Sequence, residues 1–119
     1  MLLTEVIDRV DGFKPNAFTP AQKTGWINEV EGKVQTEILL FAPPQIISYQ
    51  WPGDQHTELL AAPPHDCIYP SYLTAMIDFA CGEYGKYNNS ILVFNNQYKE
   101  FMRWFAQHYR PADVREAYF

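Results

Sequence analysis

His65, Asp66 and Cys67 stand side by side in "PPHDCIYPSYL", and each belongs to the residue types from which nucleophilic and metal sites are built. A cysteine nucleophile needs a base within hydrogen-bond reach and usually a third group to orient that base. Such partners meet through folding, and consecutive side chains diverge, so adjacency is weak support for a triad. Zinc asks for four ligands at spacings such as C-x₂₋₄-C or H-x₃₋₅-H. Here His56 and His65 lie nine positions apart and Cys67 and Cys81 fourteen, so neither spacing matches. A structural reading uses more of the stretch. Pro63 and Pro64 hold the approach extended, Asp66 accepts from the amides that follow, and Pro70 sits in a first helical turn, where its missing N–H costs little. Tyr69, preceding Pro70, is biased away from helical angles, so Asp66 is also placed to cap a separate turn ahead of the helix.

Glu83 is the second candidate. On the wheel of a third helix, read within about residues 68–87, it falls between Tyr72 and Met76 inside the apolar arc, where a carboxylate needs partners. A structural hydrogen bond to a tyrosine, a backbone amide or a basic residue meets that need. A general base with a raised pKa would require a second acid, a histidine or a phosphate-binding glycine loop spaced to work with it, and none is present. No reaction follows from these residues, and the chain is expected not to be an enzyme and to hold no cofactor or metal.

The elements that would position these residues are mainly helical. Leu3, Val6, Ile7 and Val10 recur at helical spacing after Thr4, read as the cap, and Gly12 and Pro15 end that first helix. Thr19 at the N-cap, Pro20 at the first helical position and Gln22 form a capping box for a second helix. Its apolar arc is Trp26, Ile27, Val30, Val34, Ile38 and Phe41, with Asn28, Glu29 and Lys33 off it. Prolines 43, 44, 52, 63 and 64 forbid a long helix over residues 42–66, and "QIISYQW" alternates, so a small β-hairpin or extended arm is expected there, turning at "PGDQ" and returning through "TELLA". Tyr69, Tyr72, Leu73, Met76, Ala80, Tyr84 and Tyr87 give the third helix an apolar stripe broad enough for a central position. Asn88, Asn89 and Ser90 are read as caps of a fourth helix, whose stripe is Ile91, Phe94, Tyr98, Phe101, Met102, Phe105 and Tyr109. Val93 and Trp104 lie on its opposite side and need a second cover, from the fold or from another copy of the chain, with Trp104 as anchor. The expected architecture is mainly α, a four- to five-helix bundle, with residues 1–109 as a single helical domain and 110–119 as a docking tail.

Composition narrows the function classes. At 119 residues the chain has room for one core. Charged residues reach only 19%, where about 25% is usual, while aromatics reach 16%, a surplus that raises self-association. The net charge of −5, with scattered Lys and Arg, offers no source for the counterion release that drives nucleic-acid affinity. No apolar run is long enough to span a bilayer, and acidic residues come too early for a secretion signal, so a protein that stays inside the cell that makes it is expected. Cys67 and Cys81 are read as reduced thiols.

The phrases "EVIDRVDGFKPNAF", "QKTGWINEVEGKVQTEI", "TELLAAPPHDCIYPSYL", "DFACGEYGKYNNS" and "FNNQYKEFMRWF" together resemble the small head-tail connector (adaptor) proteins of tailed bacteriophages and prophages. The resemblance covers nearly the whole chain and rests on helix order and on the Pro-Pro, Asp, Tyr approach to the third helix. It implies a virion structural protein, made in the bacterial cytoplasm, that forms a ring beneath the portal, dodecameric in the virion. That ring extends the DNA channel and offers a surface to a tail or stopper protein. DNA would pass through unread, along a negative lumen. Val93 and Trp104 would then serve the subunit interface, since a closed ring needs two different complementary patches. Arg110, Val114, Tyr118 and Phe119 would dock to the portal. A tail-completion protein is the alternative, and a small Cys- or metal-dependent enzyme a more distant one. The two cysteines depart from the family pattern, where polar residues are expected.

Overall fold

The computed structural model describes residues 1–108, and four helices carry the fold. These are α1 (Leu3–Phe13), α2 (Pro20–Lys33), α3 (Ile68–Ala80) and α4 (Tyr84–His108). Leu3, Val6, Ile7 and Val10 are all buried, so the first stripe does what its spacing requires. Its start differs from expectation: Thr4 lies inside α1, and the cap is made at Leu2, whose N–H donates to Glu5 Oε1 at 2.9 Å. The Thr19 capping box is present as expected. Gln22 N–H donates to Thr19 Oγ1 at 3.1 Å, and Thr19 N–H donates to Gln22 Oε1 at 2.8 Å.

α3 is the central helix, packed against α1, α2 and α4. It is shorter than its stripe suggests, because Gly82, just past the Cys81 C-cap, takes a left-handed φ of 75°. Gly82 N–H donates to Phe79 C=O at 3.0 Å and Glu83 N–H to Asp78 C=O at 2.9 Å, the double closure of a Schellman end. Tyr84 and Tyr87 therefore belong to α4, and Asn88, Asn89 and Ser90 sit within that helix instead of capping it. Tyr69 is helical despite preceding Pro70, because both fall in the first turn of α3, where burial of Tyr69 fixes the backbone. Along α4, Phe94, Tyr98 and Phe101 face the core, while Met102 stays exposed.

The expected β-hairpin is not formed. Among the described residues there is no strand, only one antiparallel bridge between Leu2 and Glu58. The alternating segment is extended all the same, and its backbone partners are helix side chains. Ile47 N–H donates to Gln35 Oε1 at 2.8 Å, and Gln35 Nε2 donates to Ile47 C=O at 2.9 Å. Asn28 repeats this at Tyr49, with bonds of 2.8 and 2.9 Å. A primary amide offers the same donor and acceptor as a peptide group, so Asn28 on α2 and Gln35 seven residues on, in the helical turn that continues it, replace a strand partner. Beyond Lys33 the helix continues in π-helical geometry over Val34–Ile38, with Leu39 N–H reaching Val34 C=O at 2.9 Å. Leu40 then turns the chain with a φ of 57°.

Candidate functional site

The His65, Asp66 and Cys67 stretch forms a single 3₁₀ turn, His65–Cys67, leading into α3. The His65 ring stacks on Phe101 and lies against Trp104, with centroids 5.2 and 4.9 Å apart. Burial, reinforced by the Asp66 charge, pushes the Cys67 thiol up from its ordinary pKa, away from the thiolate that nucleophilic chemistry needs. Asp66 makes no capping hydrogen bond, contrary to expectation; its Oδ2 lies 3.7 Å from the α-amino nitrogen of Met1. Pro70 falls in the first turn of α3. No group of three or more His, Cys, Asp or Glu side chains among the described residues is arranged to hold a metal ion.

Glu83 is not in the apolar arc. The Schellman end places it in the exposed α3–α4 turn, where its carboxylate faces Lys86 at 3.4 Å. The fully buried carboxylate is Glu31, on α2. Its Oε2 accepts from the Tyr49 hydroxyl at 2.6 Å and from Leu60 N–H at 3.0 Å, and its Oε1 accepts from the Tyr69 hydroxyl at 2.5 Å. Tyr69 in turn accepts from Ala61 N–H at 2.8 Å. Burial, then the neighbouring Glu31 carboxylate, drives both tyrosines far above their ordinary pKa, so they stay donors. Glu29 takes the Tyr72 hydroxyl at 2.8 Å and Glu37 the Tyr98 hydroxyl at 2.7 Å. Carboxylates of α2 and its continuation thus collect tyrosines from the arm, α3 and α4. Much of the aromatic surplus is spent inside the subunit. Chemically the Glu31 cluster is a clamp on the arm: both carboxylate oxygens are engaged, by three donors from the chain itself.

A second buried acid, Asp78, is approached by Lys14 Nζ at 2.6 Å from its Oδ1, outside hydrogen-bond alignment, and accepts from Ser90 Oγ at 2.8 Å through its Oδ2. This pair fastens the end of α1 to α3 and α4. Over it lies an open groove of about 250 Å³ lined by Phe13, Pro70, Ser71, Thr74, Ser90 and Val93. Phe13 and Val93 are its exposed apolar walls. Trp104, which sequence spacing grouped with Val93, is half-buried against His65 and His108. The two residues therefore differ in surroundings, Val93 on the groove wall and Trp104 partly covered by two imidazole rings. Arg110, Val114, Tyr118 and Phe119 lie outside the described residues.

No helix among the described residues is long and apolar enough to cross a membrane. The fold and the groove define a small, mainly helical domain with an uncovered apolar recess. Comparison of the chain with protein-family models, curated proteins and solved structures finds no match.

Proposed function

We propose that this chain is a structural subunit of a phage head-tail junction, a connector that self-associates into a ring beneath the portal, extends the DNA channel and receives a tail or stopper protein. The observation that carries this reading is the uncovered apolar recess between α1, α3 and α4, with Val93 on its wall, in a chain whose buried polar groups are spent on holding its own arm and helices together. The mainly helical character of the subunit agrees with what such a connector would need. Arg110, Val114, Tyr118 and Phe119 would contact the portal, and DNA would pass without base-specific contacts.

Light scattering over a concentration series, negative-stain imaging and co-purification with a cognate portal test the reading together. Rings and portal capture are expected, and removal of residues 110–119 is expected to abolish capture while far-UV dichroism stays helical. A chain that remains monomeric at high concentration and ignores the portal would refute it.

A further inference from the structure

Leu40 presents a puzzle of placement. It follows the π-helical turn in a left-handed conformation, φ 57°, which L-residues adopt at a cost and which glycine takes freely. Its side chain gains no shelter in return, being 73% exposed. Strain held at an exposed apolar residue points outward, to something the side chain meets beyond its own subunit. Ile46 and Ile47, a few residues on, are exposed as well. One residue anchors both ends of this stretch: Gln35 accepts Phe41 N–H on its backbone carbonyl at 2.8 Å, and its side-chain amide holds both backbone groups of Ile47. From Ile38 to Gly53 the sequence has no charged residue. The result is a charge-free aliphatic ridge with a fixed backbone.

The groove walled by Phe13 and Val93 is the complementary shape, concave, apolar-walled and lined with no charged side chain. It is built by other elements than the ridge. Copies of a chain with net charge −5 repel one another, and charge-free surfaces are where they approach at least cost. We propose that the Leu40, Ile46 and Ile47 ridge of one copy seats in the Phe13–Val93 groove of a second copy. Two different patches on each subunit make a heterologous contact, the kind that propagates around a ring and closes when the rotation allows. The contact rests on the reading of the chain as a ring subunit and assigns the surfaces that reading leaves open.

Leu40→Gly tests it without the usual ambiguity, because the substitution relieves backbone strain and removes no core contact. Its thermal midpoint is expected to be no lower than the parent's, while its self-association constant falls about tenfold or more, the worth of one buried Leu side chain. In a Cys67→Ser, Cys81→Ser background, Leu40→Cys chains mixed with Val93→Cys chains should form the mixed disulfide-linked dimer under mild oxidation. Association that survives Leu40→Gly at parental strength, or linkage of Leu40→Cys only to itself, overturns the contact and leaves the connector reading standing. Absence of any self-association, with or without portal, overturns both.

Discussion

At the residue scale, the position that most decides the structure is Glu31. Removing a carboxylate from water costs several kcal/mol, and here three directed donors offset that cost. Glu31→Ala strands two tyrosine hydroxyls and an amide and opens a cavity, so a loss of about 3–5 kcal/mol is expected in urea unfolding. Glu31→Gln keeps one acceptor oxygen, able to serve Tyr49 and Leu60, and should lose roughly 1–3 kcal/mol. Equal losses for the two variants would mean that the cavity, not the hydrogen bonds, sets the cost. The same cluster fixes the alkaline limit. Tyr69 and Tyr49 have pKa values raised in the folded state, first by burial and then by Glu31. The folded chain thus keeps protons that the unfolded chain releases near pH 10. Stability from Tyr69 is fully present below about pH 10 and falls by about 1.4 kcal/mol per pH unit above it, until the folded pKa is reached. Tyr49, Tyr72 and Tyr98 act in the same direction but are less completely buried, so solvent screening reduces their share. Urea midpoints measured across pH 9 to 12 should bend downward near pH 10 in the parent and less steeply in Tyr69→Phe. The wheel that singled out Glu83 also carried a signal for Glu31, which falls about 40° from Ile27 and about 20° from Ile38 on the second helix. Asp78 gives no such signal, about 180° from Tyr69 on α3; it is buried because the end of α1 and α4 cover that side too.

At the scale of elements, the stripe of α1 and most of those of α2 and α4 were legible because a single buried face dictates period and composition together, although Phe41 falls past the helical turns, Met102 is exposed and Tyr109 lies outside the described residues. The α3–α4 boundary was misplaced for a local reason. "ACGEY" holds the C′ glycine of a Schellman end, but the tyrosines beyond it continue the apolar spacing and mask the stop. Gly82→Ala isolates that backbone requirement, since a Cβ at Gly82 would meet nothing within 4 Å. A loss of about 1–2 kcal/mol in thermal or urea unfolding is therefore expected from the left-handed φ alone. A neutral result would show that the turn relaxes into another shape. The arm was legible as extended and not as to its partner. Alternation in "QIISYQW" reports that one side of the segment is fixed, and side-chain amides from Asn28 and Gln35 satisfy that condition as a strand would. Nothing in a helical wheel distinguishes an amide facing water from one facing a peptide group.

At the scale of the whole molecule, the candidate surface was legible only in part: Val93 was marked as uncovered, whereas its groove depends on Phe13 and Pro70, which the fold alone brings beside it. Trp104, by contrast, is half-buried within the subunit against His65, a contact between residues far apart in sequence. Charge then sets how copies meet. Residues 110–119 carry two arginines, one aspartate and one glutamate, so the net charge of −5 belongs to residues 1–109. Repulsion between such subunits is long-ranged at low salt, with a Debye length of ~30 Å at about 0.01 M, and is screened to ~10 Å at about 0.1 M. An interface made of charge-free aliphatic residues loses nothing to that screening, because its attraction comes from burying apolar surface. Self-association is therefore expected to strengthen as salt rises over this range, with sedimentation velocity showing a larger assembled fraction at fixed protein concentration. An interface built on ion pairs such as Lys86–Glu83 or Arg103–Glu100, re-formed between copies, would weaken over the same range. A decline in assembly with added salt would place the contact on those charged flanks and away from the groove.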